Sequence, residues 1–247
     1  MLRAAAFATL LIGCASNDQI APSSLEYDDL ALSVGSTVAM PSGGGELGAF
    51  GDVVALSHGK LPAGFQASAD GTITGTHTGL GYSYRVVCRS AQGTAGACDG
   101  TTDGVEAQVA WTGALNLPDT GMSFDRTGPW ALSGLTQGVA MANGTATLSY
   151  DSRIANPDRG DVSTYHLDYD ATYDGVAFDT VALKALGGDI HYTISVTRTT
   201  VGKTSTAERH YDVTATVTLN GDGTATMDLD GAHQYKLELA SATVVRL

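Results

Sequence analysis

The residues best suited to chemistry are histidines and aspartates at alternate positions. In His166-Leu167-Asp168-Tyr169-Asp170 an extended chain puts one imidazole and two carboxylates on one side. Tyr165, Leu167, Tyr169 and Ala171 then fall on the other side. His191 lies in a similar alternation, and His210 stands beside Asp212 on the same polar side. Imidazole with carboxylate suits zinc or a non-haem metal. Nothing in the sequence brings these three strands together, however, and such residues on a Thr-rich sheet face ordinarily meet only water. Asp168 to Gly175 holds the residue types of a calcium loop, but it lacks the one-three-five spacing and the closing glutamate. Asn220-Gly221-Asp222-Gly223 is better explained as a turn. The expectation is no metal and no cofactor.

Nucleophilic catalysis has equally little to work with. No Gly-x-Ser-x-Gly elbow is present. Gly43-Gly44-Gly45 lacks the Gly-Lys-Ser/Thr ending of a phosphate loop. The chain is therefore expected not to be an enzyme.

Cysteine usage says more. Of three cysteines, Cys88 ends the apolar run Tyr84-Arg85-Val86-Val87, and Cys98 follows a Gly- and Ala-rich turn. The pair is expected to form a disulfide, worth roughly 3 kcal/mol for so short a loop. Such a bond persists in an oxidising compartment.

The third cysteine ends Leu11-Ile12-Gly13-Cys14, behind Met1-Leu2-Arg3 and the apolar run from Ala4 to Leu11. The order is that of a secretion signal, and the run is too short to span a bilayer. The segment resembles a bacterial lipoprotein signal peptide. The resemblance implies cleavage before Cys14, acylation of that residue (palmitate among the chains) and attachment to the cell envelope. Ala15-Ser16 after the cysteine lacks the aspartate that retains such proteins in the inner membrane, so the outer membrane is expected. The leader is short for the family and carries one basic residue, Arg3.

The elements that must position these residues are strands. The 247 residues carry 13 Lys and Arg against 26 Asp and Glu, a net charge of −13, which disfavours binding to phosphate backbones and anionic lipid alike. Thr, Val, Gly and Asp dominate over Glu, Lys and Gln, so an all-β fold is expected. Residues 15 to 28 read as a flexible tether. Candidate strands follow at Ser36–Met40, Asp52–Ser57, Gly71–Gly75, Tyr82–Cys88 and Val105–Thr112. Within them Leu61-Pro62-Ala63-Gly64-Phe65, Asp70-Gly71-Thr72-Ile73-Thr74-Gly75-Thr76 and Gly81 to Val86 resemble the immunoglobulin-like modules of bacterial surface proteins. Here His77 stands where that family usually has proline. The resemblance implies a spacer or adhesive β-sandwich over residues 29 to 114 and brings no catalytic residues.

Leu115-Asn116-Leu117-Pro118-Asp119-Thr120-Gly121 reads as an interdomain break, giving a linker over 115 to 128. Residues 129 to 247 read as a larger antiparallel domain (curved sheet, sandwich or small barrel) with a short helix possible over Thr180–Leu186. Ile190, Tyr192, Ile194 and Val196 share one face, as do Tyr211, Val213, Ala215, Val217 and Leu219. The leading expectation is a non-catalytic envelope lipoprotein displaying β-domains for binding or structural contact with a protein or glycan. The alternative is a periplasm-facing carrier or assembly factor holding an apolar ligand in the C-terminal β-domain.

Overall fold

The computed structural model describes residues 21–39, 44–77, 79–116, 120–156, 161–202 and 204–247. Cys14, the signal peptide and the first part of the tether lie outside the described residues.

Two helices come first. Helix α1 (Ser24–Val38) opens on a capping box: the Ser23 hydroxyl accepts from the Glu26 amide while the Glu26 carboxylate accepts from the Ser23 amide. Its buried residues Tyr27, Leu30, Ala31, Val34 and Val38 repeat at helical spacing. Helix α2 (Gly45–Ser57) is apolar on nearly every side, as a helix enclosed by protein must be.

Thirteen strands follow among the described residues: β1 (Gln66–Ala67), β2 (Ile73–His77), β3 (Leu80–Arg89), β4 (Ala95–Gly96), β5 (Gly104–Asn116), β6 (Thr120–Ser133), β7 (Val139–Asn156), β8 (Asp161–Asp179), β9 (Lys184–Val201), β10 (Thr206–Leu219), β11 (Thr224–Leu229), β12 (His233–Glu238) and β13 (Thr243–Arg246). They form one open antiparallel sheet in chain order, except that the two-residue β4 pairs with the outer end of β3.

The sheet is curved around the helices. α2 touches β3, β5 and β9. In a flat sheet β3 and β9 would lie about 24 Å apart, more than twice a helix diameter. α1 lies across β11, β12 and β13, and approaches closest at Gly35. A Cβ there would sit 2.7 Å from a Val244 methyl, so any larger residue would make Val244 move. At the other edge Gly75 lets the Phe65 ring lie flat on β2, where a Cβ would stand 2.3 Å from the ring.

The all-β class and the curved antiparallel sheet are as the sequence indicates, and the alternating apolar residues named above on shared faces are buried. The N-terminal residues depart from expectation. Ser36–Val38 and Asp52–Ser57, read as strands, lie in helices. Residues 24 to 28, read as tether, are the first five residues of α1. The expected break at 115–128 falls inside the β5–β6 hairpin, paired from Gly104↔Ser133 to Asn116↔Gly121. Residues 61 to 88 supply β1 to β3 of the same sheet, and a single apolar core runs through both halves. Thr180–Leu186 is no helix: residues 180 to 183 turn, and β9 starts at Lys184. The local apolar pattern there serves a strand end, not a helix face.

Candidate functional site

With the apolar face turned inward, the outer face of β6 to β10 carries the candidate polar residues. Pairing sets them in rows. Ser123, Asp151, His166, Thr197 and His210 stand directly opposite one another across the five strands. The next row reads Asp125, Ser149, Asp168, Ser195 and Asp212, and the one after Thr127, Thr147, Asp170, Thr193 and Thr214. Carboxylates directly opposite one another would repel. In these rows a hydroxyl or imidazole separates each carboxylate from the next.

Local bonds fix the side chains. His166 Nδ1 lies 2.7 Å from Asp151, and its Nε2 lies 3.4 Å from Asp168. The bond to Asp151 raises the imidazole above its ordinary range against a smaller opposing effect of burial, and Asp168 adds to the rise. His210 contacts Thr197 through Nδ1 (2.9 Å) and Glu208 through Nε2 (2.9 Å). The Ser195 hydroxyl donates to Asp212 at 2.8 Å, and His191 meets Thr216 at 3.2 Å. His166 and His210 are two strands apart, about 10 Å at the backbone. The structure therefore does not bring these imidazoles together. No group of three or more His, Cys, Asp or Glu able to hold a metal ion occurs among the described residues. Asp168, Asp170 and Asp174 lie along strand β8 and form no loop.

The short side chains of Thr147 and Ser149 leave a shallow depression of about 370 Å³, flanked by Asp125, Asp168 and Asp170. The face as a whole is acidic, hydroxyl-rich and regular. Its chemistry is that of hydrogen bonding and charge.

Cys88 and Cys98 form the expected disulfide, with Cα atoms 5.2 Å apart. The loop it closes packs on the turn after α2: a Cβ on Gly59, which has φ +73°, would sit 2.6 Å from the Cys98 carbonyl.

Three buried polar clusters escape a reading by local pattern. Arg126 on β6 is fully buried between Trp111 and Trp130, its guanidinium carbon 4.6 and 4.4 Å from their rings. It donates to the Val109 carbonyl (2.7 Å), the Tyr173 hydroxyl (3.2 Å) and the Glu46 carboxylate of α2 (3.3 Å). Burial pushes Glu46 above the usual carboxylate range, with Arg126 opposing it. Glu26 of α1, also fully buried, receives Arg198 (3.1 Å) and Arg209 (2.8 Å). Burial would raise its carboxyl, but the Ser23 bonds and the two guanidinium groups hold it below the usual range. Asp52 of α2 accepts from Tyr84 (2.6 Å) and contacts His77 (2.8 Å). Each cluster ties a helix to the sheet. The one sequence signal was a charge on an apolar alternation: Arg126 falls between Phe124 and Trp130 on the inward side of β6.

No family model, curated protein or solved structure matches the chain.

Proposed function

We propose that the chain is a non-catalytic lipoprotein of the bacterial cell envelope, held to the outer membrane by lipid on Cys14 and displaying its sheet for binding or structural contact. One observation carries the reading. The apolar face of the sheet is taken up by the chain's own α1 and α2, so the broad surface left to other molecules is the ordered polar face of β6 to β10. That face is about 19 Å across and about 45 Å long, close to what one partner contributes to a standard protein interface. Its carboxylates suit a partner surface bearing lysine and arginine, where charge sets approach and specificity more than affinity. The Cys88–Cys98 disulfide supports an oxidising compartment. No helix among the described residues is long and apolar enough to cross a membrane.

The carrier reading, with an apolar ligand inside the curved sheet, would require α1 and α2 to leave the concave face they fill.

Protease shaving of intact cells, with a Cys14→Ala variant alongside, tests the proposal. Digestion of the wild type on intact cells and release of the variant into soluble fractions are the expected results. A variant that stays membrane-bound sinks the anchor, and a wild type protected until the envelope is opened sinks surface display.

A further inference from the structure

The sheet is open, so it ends on two edges, and they are built differently. At one end β1 is only two residues long, a usual way of blunting an edge. At the other, β13 reads Thr243-Val244-Val245-Arg246, a β-branched run with neither glycine nor proline. Its side chains guard it poorly. On the outer face Val245 is 55% exposed, and Leu247, just past the strand, is 70% exposed. The one charge, Arg246, stands opposite the buried Tyr235, where it meets Asp28 (3.7 Å) and His233 (3.3 Å).

The register shows which backbone groups are left open. The Leu247 amide donates to the Gln234 carbonyl at 2.9 Å, one step along from the pairing of Arg246 with Tyr235. Bonded and non-bonded pairs alternate along an antiparallel ladder. Thr243, Val245 and Leu247 therefore bond to β12, whereas Val244 and Arg246 turn their N–H and C=O groups away from the sheet. Such a row is a template for one more strand.

We propose that β13 pairs antiparallel with β13 of a second copy of this chain, about a two-fold axis through Val245. A two-fold contact must be its own complement, and this sequence is. Val244 of each copy exchanges both backbone bonds with Arg246 of the other, which uses every open group of the strand. On the outer face Val245 meets Val245, and Leu247 meets Thr243. On the concave side Arg246 stands opposite Val244, so no like charges face one another. The two sheets become one. The contact is smaller than a standard interface, and the net charge of −13 on each copy opposes it. The dimer is therefore weak in solution, with a dissociation constant between about 10 μM and about 1 mM. The inference depends neither on the lipid anchor nor on the polar face of β6 to β10.

The test is disulfide trapping in the full Cys14→Ala chain, whose other two cysteines are already joined. Val245→Cys places two thiols across the axis at a non-bonded pair, about 4.5 Å between Cα atoms and within disulfide reach. Oxidation should trap it as a dimer that reductant releases. In Thr243→Cys or Leu247→Cys alone the two copies of the thiol lie about 14 Å apart and should trap little. Mixed, those two variants should cross-link to each other. Val245→Lys, at an exposed position, sets two ammonium groups face to face. It should weaken association in sedimentation equilibrium at least about fivefold, with the fold retained by circular dichroism. Equal trapping at all three single sites, or none at 245, overturns the register. A folded Val245→Lys variant that associates like the parent overturns the site. A parent chain that sediments as a monomer at about 1 mM overturns self-pairing, in favour of a strand from another protein.

Discussion

Replacing Arg126 with methionine keeps an unbranched apolar stem between the two tryptophans and removes the charged guanidinium. Glu46, only 1% exposed, would then be a buried carboxylate with Tyr173 nearby and no cation. Removing one partner of a buried ion pair costs about 3–5 kcal/mol, because the other charge stays desolvated. Against a total stability of about 5–15 kcal/mol, that is a third or more of what holds the fold. Adding Glu46→Gln removes the stranded charge, so the double variant should recover about 2 kcal/mol relative to Arg126→Met alone. The chain supplies its own reporter, since its two tryptophans, Trp111 and Trp130, sandwich the site. Urea unfolding followed by their fluorescence gives all four corners of the cycle. The pH dependence adds a second check. Glu46 has a folded-state carboxyl raised above its unfolded value, and losing Arg126 raises it further. A raised acid contributes stability below the unfolded value and loses it as pH rises through the folded one. The deficit of Arg126→Met should therefore shrink between pH 8 and pH 5. A cost below about 1 kcal/mol, or a double variant as weak as the two singles added, would refute the reasoning.

Glu26→Gln should cost about 2 kcal/mol at pH 7, less than a fully buried pair because Arg198 and Arg209 are partly exposed. The Glu26 carboxyl is lowered on folding, so its contribution is present above the unfolded value of 4.5 and fades as pH falls through the folded one. Wild type and variant should thus converge on acidification toward pH 3 in thermal melts; a gap that stays constant with pH contradicts the assignment. Reducing the disulfide, or replacing Cys88 and Cys98 together with alanine, should lower stability by roughly 3 kcal/mol. The double variant should be indifferent to added reductant, and a reductant-sensitive melt would point to another thiol.

The strands from Ile73 onward were legible because their apolar residues alternate at period two and one face is buried against a shared core. In Tyr211 to Leu219 the pattern alone fixed which side faces in. The helices were harder for opposite reasons. α2 is buried on almost all sides, so Val53-Val54-Ala55-Leu56 shows no helical period and looks like a buried strand. α1 did carry a signal, Ser23-x-x-Glu26 ahead of Tyr27, Leu30, Ala31 and Val34, inside a stretch whose Asp and Ser content suggested a tether. The pairing of Glu46 with Arg126 spans 80 positions, and no local rule reaches that far. The residues of the outer face were found and their sides assigned correctly, whereas their order in rows depends on strand registers that only the folded sheet supplies.

The clamp on α1 also dictates when folding can finish. Glu26 is held by residues 198 and 209, and Asp28 by Tyr235 and Arg246, so the first helix to be synthesised waits for the last strands. α2, apolar all round, is not covered on every side until β9 has arrived. Contacts of such long sequence separation form slowly, and apolar surface left open meanwhile invites aggregation. A chain made from its N-terminus is therefore vulnerable for most of its synthesis, until the strands up to residue 246 can close over α1 and α2.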